Sequence, residues 1–233
     1  MFTLLRSHTL AAAAVAIGLI TAPIAALADT LTYQGYTVTN GKSVSITAPV
    51  TLGVNAGRIV LDNVLINGVG VADINAWCID LNTTLAVQGT YGLGSLADPA
   101  IANQLNALLT GAASLDLNAG VNSAAVQVAV WKTVVTNFTM NTSGTTGADI
   151  NNLANTFIAN VNNAGNTTWK ASSTMQLTTL DPIPAGSTQR LVTLVPGGPP
   201  GTNTNIPEPA SMAMIAVGLI GLGVARRRRR TLH

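Results

Sequence analysis

The chain reads as an α+β protein: a β-sandwich or barrel base with a helical insertion, an N-terminal signal peptide and a C-terminal transmembrane helix. Three observations predict this. The stretch after the first 28 residues is rich in Thr, Val and Ile, the residue types that suit a pleated, half-buried surface. The middle carries three segments with helix start and stop signals. Two more strand-like runs follow, so strands flank the helices.

In chain order, LTYQGYTVT, KSVSITAP and GRIVLDNVLI predict strands, with turns at Asn40-Gly41 and Ala56-Gly57. INAWCIDL predicts another strand, with Ile74, Ala76, Cys78 and Asp80 on one face and Asn75, Trp77, Ile79 and Leu81 on the other. Gly89 to Tyr91 reads as a short strand. DPAIANQLNALLTGA predicts a helix with Asp98 as N-cap, Pro99 at its first position and Gly111 as its stop. NSAAVQVAVWKTVVTNF predicts a second helix, on which Gln127, Val130, Trp131, Val134, Val135 and Phe138 share one face. A third helix is expected from Asp149 to about Asn163. MQLTTL and QRLVTLVP predict the last strands.

The two ends carry targeting signals. Arg6, an apolar run from Leu10 and Ala26-Leu27-Ala28 form the n-region, h-region and cleavage pattern of a secretory signal peptide over residues 1–28, implying export and a signal peptidase. Residues 29–195 then form one extracellular domain, and 196–206 a Pro/Gly/Asn-rich linker. Ala210 to Ala225 is apolar throughout, about 24 Å of helix against a hydrocarbon core of about 30 Å. Arg226 to Arg230 would stay on the cytoplasmic side of the inner membrane. Beside an apolar helix, that run does not indicate nucleic-acid binding.

Pro207-Glu208-Pro209, the apolar helix and the arginine cluster, over 207–233, resemble the PEP-CTERM sorting signal. The two prolines keep the motif extended, as a protease-like active site requires. The resemblance implies a Gram-negative bacterium that makes exopolysaccharide, and an exosortase that recognises and cleaves the tail. A membrane-anchored precursor would then pass to the cell surface or extracellular matrix.

Between the ends, five Lys and Arg side chains stand against eight aspartates, a net charge of −3. Both histidines, His8 and His233, and the only glutamate, Glu208, lie in the targeting ends. The domain thus lacks the residues for a Ser-His-Asp triad, a Cys-His protease or a histidine-ligated zinc site. A glycosidase would need two aspartates, and the aspartates form no catalytic motif. No phosphate-binding, dinucleotide or calcium-loop pattern occurs, so no cofactor or metal and no turnover enzyme are expected.

Two residues stand out. Cys78 is the only cysteine in an exported chain and has no disulfide partner within it. Gln127 leads an otherwise apolar helix face, where an unmade hydrogen bond costs about 1–3 kcal/mol. Trp77-Cys78-Ile79-Asp80 followed by Gln127-Val128-Ala129-Val130-Trp131 resembles the bacterial thioester domain of Cys-Gln surface adhesins, over roughly residues 60 to 165. Such domains are best known from Gram-positive surface proteins. The resemblance implies a thioester between Cys78 and Gln127 that attaches the protein covalently to another molecule. Candidate partners are exopolysaccharide and amine-bearing surface molecules; with no histidine to activate a hydroxyl, an amine is the preferred nucleophile. The alternative is a non-covalent structural β-domain of the biofilm matrix, with Cys78 an inert core thiol. Trp77 and Trp131 are packing residues on either reading. Asp80 is a strand-end or turn residue, or else a hydrogen-bonding support to the site.

Overall fold

The computed structural model describes residues 29–197. The expected signal peptide, the expected linker beyond Gly197, the Pro207-Glu208-Pro209 motif, the apolar run and the arginine cluster lie outside the described residues. Among the described residues no helix is long and apolar enough to cross a membrane.

Among the described residues, thirteen elements follow in order: β1 (Thr30–Tyr33), β2 (Gly35–Ala48), β3 (Leu52–Asp62), β4 (Leu65–Ile66), β5 (Val69–Gly70), β6 (Ile74–Cys78), β7 (Gly89–Gly94), α1 (Pro99–Ala112), α2 (Gly120–Val134), β8 (Thr139–Met140), α3 (Thr145–Asn162), β9 (Met175–Ile183) and β10 (Leu191–Pro196). The strands form one ten-stranded sheet in the order β5-β4-β1-β7-β9-β10-β6-β3-β2-β8. Every pairing is antiparallel. The α+β class holds, with the helices between the early and late strands. The order has two ends, β5 and β8, so these hydrogen bonds do not close a barrel. β6 sits inside the sheet because strands from opposite ends of the sequence, β3 and β10, flank it.

The predicted turns at Asn40-Gly41 and Ala56-Gly57 are not turns. β2 and β3 run through both sites, and their register shifts between Thr39 and Lys42. Asn40 takes a left-handed conformation (φ 49°), which lets β2 bulge without ending. A Cβ on Gly57 would lie 2.8 Å from the Gly41 Cα, so these glycines let two backbones approach. The hairpin turns over residues 49–51 instead.

Asp98 caps α1 as expected, accepting hydrogen bonds from the Ala100 and Ile101 N–H groups at 2.8 and 3.3 Å. Gly111 does not stop the helix. It lies within α1, where a Cβ would meet the Trp169 ring at 2.3 Å. That ring stacks on Phe157 of α3, with centroids 4.9 Å apart. α3 begins at Thr145, four residues before Asp149.

α2 begins at Gly120 and ends at Val134, so Val135 and Phe138 lie beyond it. Phe138 still stacks on Trp131, with ring centroids 5.9 Å apart. Ser123 to Trp131 are all buried, so α2 is enclosed on every side rather than along one stripe. It packs against β2, β3 and β6 of the sheet and against α1 and α3. Lys132 ties it to α3, donating to the Asn151 and Asn155 side-chain oxygens at 2.8 and 2.7 Å.

The start of α2 is seated on the β2 bulge. A Cβ on Gly120 would lie 2.4 Å from the Asn40 carbonyl oxygen, a backbone atom with little room to yield. Alanine would gain up to about 1 kcal/mol in helix propensity. Overpacking against backbone costs about 1–3 kcal/mol. Gly120→Ala is therefore expected to destabilise the domain by about 1–2 kcal/mol. Denaturant unfolding of the mature domain checks this, with a lower midpoint and an unchanged slope as the expected result.

Candidate functional site

The site forms where α2 crosses the sheet. Pairing of β3 with β6 runs from Leu61↔Ile74 to Ile59↔Ala76 and stops there, next to the bulge. Two residues further along β6, the Cys78 backbone needs partners. Gln127 supplies them. The Cys78 N–H donates to Gln127 Oε1 at 3.0 Å, and Gln127 Nε2 donates to the Cys78 carbonyl at 2.8 Å. The side-chain amide thus pairs with Cys78 as a peptide group of a neighbouring strand would. Gln127 is 1% exposed and Cys78 7% exposed. The other edge of β6 faces β10, where Leu191 is opposite Cys78 and Val192 opposite Trp77. The Ile79 N–H donates to the Arg190 carbonyl at 3.1 Å, just past the end of β6.

One turn earlier on the helix, Ser123 repeats the device. The Arg58 N–H, opposite Thr39 at the bulge, donates to Ser123 Oγ at 2.7 Å. Ser123 Oγ is also 3.5 Å from the Thr39 carbonyl. Ser123 and Gln127 are four residues apart and lie on the same face of α2. Ser123 satisfies backbone at the irregular β2–β3 pairing, and Gln127 satisfies the β6 backbone beyond its pairing with β3. Ser123 was not anticipated from the sequence; its signal is a polar residue one turn before Gln127 within an apolar helix.

The Cys78 thiol has a separate partner. It donates to Gln189 Oε1 at 2.8 Å. Gln189 Nε2 lies 3.4 Å from the Asp80 carbonyl, and the Tyr91 hydroxyl donates to the Gln189 carbonyl at 3.0 Å. Tyr91 stacks on Tyr33, with centroids 5.7 Å apart, and burial raises the pKa of both phenols, keeping them as hydroxyl donors. Gln189 was also missed. It precedes β10 by two residues and carries no pattern of its own; only its place opposite β6 reveals it.

Asp80 sits outside β6 and acts as a turn residue. Its carboxylate accepts from the Asn82 N–H at 2.8 Å and the Thr83 hydroxyl at 2.6 Å. It also touches the site through its backbone carbonyl, which faces Gln189. Trp77 and Trp131 are both buried core residues, at 4% and 3% exposure. Among the described residues, Trp131 Nε1 has no hydrogen-bond partner. The structure thus gathers Cys78, Gln127 and the Asp80 backbone at one place, with both tryptophans in the packing around it.

Burial first, and then the Asp80 charge, push the Cys78 thiol up from 9.0 to about 12. At neutral pH the sulfur is therefore protonated, and it contributes to stability as a neutral core group. A raised pKa favours the fold fully below the unfolded value of 9.0, and that contribution is lost as pH rises toward 12. The same shift governs reactivity. Iodoacetamide alkylation of the thiol-bearing species, followed by mass, is expected to rise about tenfold per pH unit from pH 8 to about 11. A plateau near pH 9 would show an ordinary, solvated thiol.

A family profile for the PEP-CTERM protein-sorting motif matches residues 205–230. The chain therefore carries the sorting signal that its last residues resemble, and with it the mark of an exported, exosortase-processed protein of Gram-negative bacteria. No curated protein matches the chain. Among solved structures, the chain is similar to the N-terminal domain of the Streptococcus pyogenes pilus tip adhesin Cpa, at 13% identity and a TM-score of 0.44, over 72% of this chain and 94% of that one. It is also similar to the thioester domain of the Staphylococcus aureus TIE protein, at 11% identity and a TM-score of 0.40, over 71% of this chain and 78% of that one. Both similarities are distant.

Proposed function

We infer that this exported protein closes an internal thioester between Cys78 and Gln127 and uses it for one covalent attachment to an amine-bearing partner at the cell surface or in the extracellular matrix. The observation that carries this reading is the double hydrogen bond between the Gln127 amide and the Cys78 backbone. It brings an amide beside a cysteine from 49 positions away, in a buried site, with an N–H already on the amide oxygen.

The chemistry follows from that arrangement. Sulfur attacks the Gln127 amide carbon, and the Cys78 N–H stabilises the oxyanion as it develops. The C–S bond forms and the C–N bond breaks. The thiol proton leaves with the amide nitrogen, so one ammonia departs. A raised thiol pKa slows this step by keeping the thiolate scarce. The sulfur must also turn from Gln189 Oε1 to the Gln127 carbon, after which a well-oriented intramolecular approach gains about 7–11 kcal/mol. An amine from the partner then attacks the thioester carbonyl, forms an amide at Gln127 and releases the Cys78 thiol. Each molecule reacts once, so the protein is a crosslinker and not a turnover enzyme. Exosortase processing of the tail delivers it.

The competing reading is a non-covalent structural domain in which Gln127 only completes the sheet at Cys78. One observation favours it: both polar atoms of the Gln127 amide are already paired, and the thiol donates to Gln189. Intact mass separates the two. The reactive reading predicts that the mature domain lacks one ammonia, that methylamine adds at Gln127, and that Cys78→Ala retains its full mass. A full-mass wild-type domain with one titratable thiol would establish the structural reading instead.

A further inference from the structure

β1, β7 and β9 lie side by side within the sheet, and each has a paired neighbour on both edges. Thr32 of β1 is opposite Thr90 of β7, and Thr90 is opposite Ile183 of β9, so the three side chains form one cross-strand row. The residues that alternate with them, Leu31, Tyr33 and Tyr91, are buried in the core, which puts the row on the outer face of the sheet. Gln34 just after β1, Gln88 just before β7 and the segment from Pro184 to Ser187 stand around it. Together they line a cleft of about 520 Å³. Ligand sites for small molecules span about 300–1,000 Å³.

The lining is polar but uncharged. No carboxylate, ammonium or guanidinium is among its residues, and burial raises the pKa of Tyr33, keeping its phenol neutral. Thr32, Gln34, Gln88, Thr90 and Ser187 each offer both a donor and an acceptor. Among the described residues these five side chains make no hydrogen bond; those at the cleft edge run from the Tyr33 hydroxyl to the Ala86 carbonyl at 2.6 Å and from the Ala86 N–H to Thr188 Oγ1 at 2.9 Å. Ile183, 48% exposed, and Pro184 add an apolar wall. A sugar chain has the matching chemistry: hydroxyls that donate and accept around each ring, and C–H faces that pack on apolar surface. An extended peptide would need free strand backbone, and both edges of β1, β7 and β9 are taken. A domain of net charge −3 does not favour an acidic polymer.

We propose that this cleft binds a neutral polysaccharide and so holds it beside the Cys78 site. Thr188 lines the cleft, and the next residue, Gln189, contacts the Cys78 sulfur at 2.8 Å. The binding is non-covalent and needs no thioester, so it goes beyond the reading above and stands or falls separately from it.

Amide NMR of the processed protein tests this, with millimolar oligosaccharides of glucose, galactose, mannose and N-acetylglucosamine as neutral probes, oligogalacturonate as an acidic one and a Thr/Ala-rich peptide as a third class. At least one neutral probe is expected to shift the signals of Thr32, Gln34, Gln88, Thr90 and Ser187, while oligogalacturonate and the peptide leave them in place. Gln88→Ala with Thr90→Val removes two hydrogen-bonding groups and is expected to weaken that binding by about tenfold or more. Its spectrum elsewhere checks that the fold is kept. Silence toward every neutral probe overturns the proposal, as do shifts confined to other residues or an affinity unchanged in the double variant. An equal response to oligogalacturonate overturns the neutral specificity, and a response to the peptide alone shows a peptide groove instead. Intact mass reports the thioester separately, so neither result decides the other.

Discussion

The pairing of the Gln127 side-chain amide with the Cys78 backbone is the interaction on which the rest of the site depends. β3 leaves β6 at Ile59↔Ala76 because the β2–β3 ladder bulges nearby. That departure would leave two buried backbone groups of Cys78 unpaired, at about 1–3 kcal/mol each. A helix crossing at that point can repair the gap only with a side chain that both donates and accepts. Glutamine has that chemistry and the reach to deliver it from a helix. α2 is therefore held at a fixed height over the sheet by Gly120 against Asn40, by Ser123 at the bulge and by Gln127 at Cys78.

The same hydrogen bonds serve structure and chemistry, and this is why Gln127 alone does not distinguish an inert core from a reactive one. Two net hydrogen bonds stabilise the fold by about 1–3 kcal/mol in total, enough to keep a glutamine there with no reaction at all. The distinguishing group is the sulfur. A thiol pushed to about 12 is a poor nucleophile in bulk terms, and only close approach can compensate. Gln189 thus becomes as informative as Gln127, because its side-chain amide is the one in hydrogen-bond contact with the thiol, at 2.8 Å.

Much of this was legible in the sequence. The α+β class and the Asp98 cap follow from periodicity and capping chemistry, and the meeting of Cys78 with Gln127 is what the resemblance to the thioester domain implies. What was not legible depends on long-range contact. Asn40-Gly41 looks like a turn by local chemistry, yet the facing glycine at 57 turns it into a bulge. Gly111 looks like a helix stop, yet Trp169, far along the chain, fills the space its missing Cβ leaves. Ser123 and Gln189 are ordinary residues in their own segments. Only the meeting of α2, β6 and the approach to β10 gives them partners.

A high-resolution crystal structure of the mature domain, grown without added amines, tests the central claim most directly. The expected result is continuous density from Cys78 Sγ to Gln127 Cδ, with the Cys78 N–H still on the remaining oxygen and the amide nitrogen gone. An intact Gln127 amide paired to the Cys78 backbone, with the thiol donating to Gln189, would contradict it.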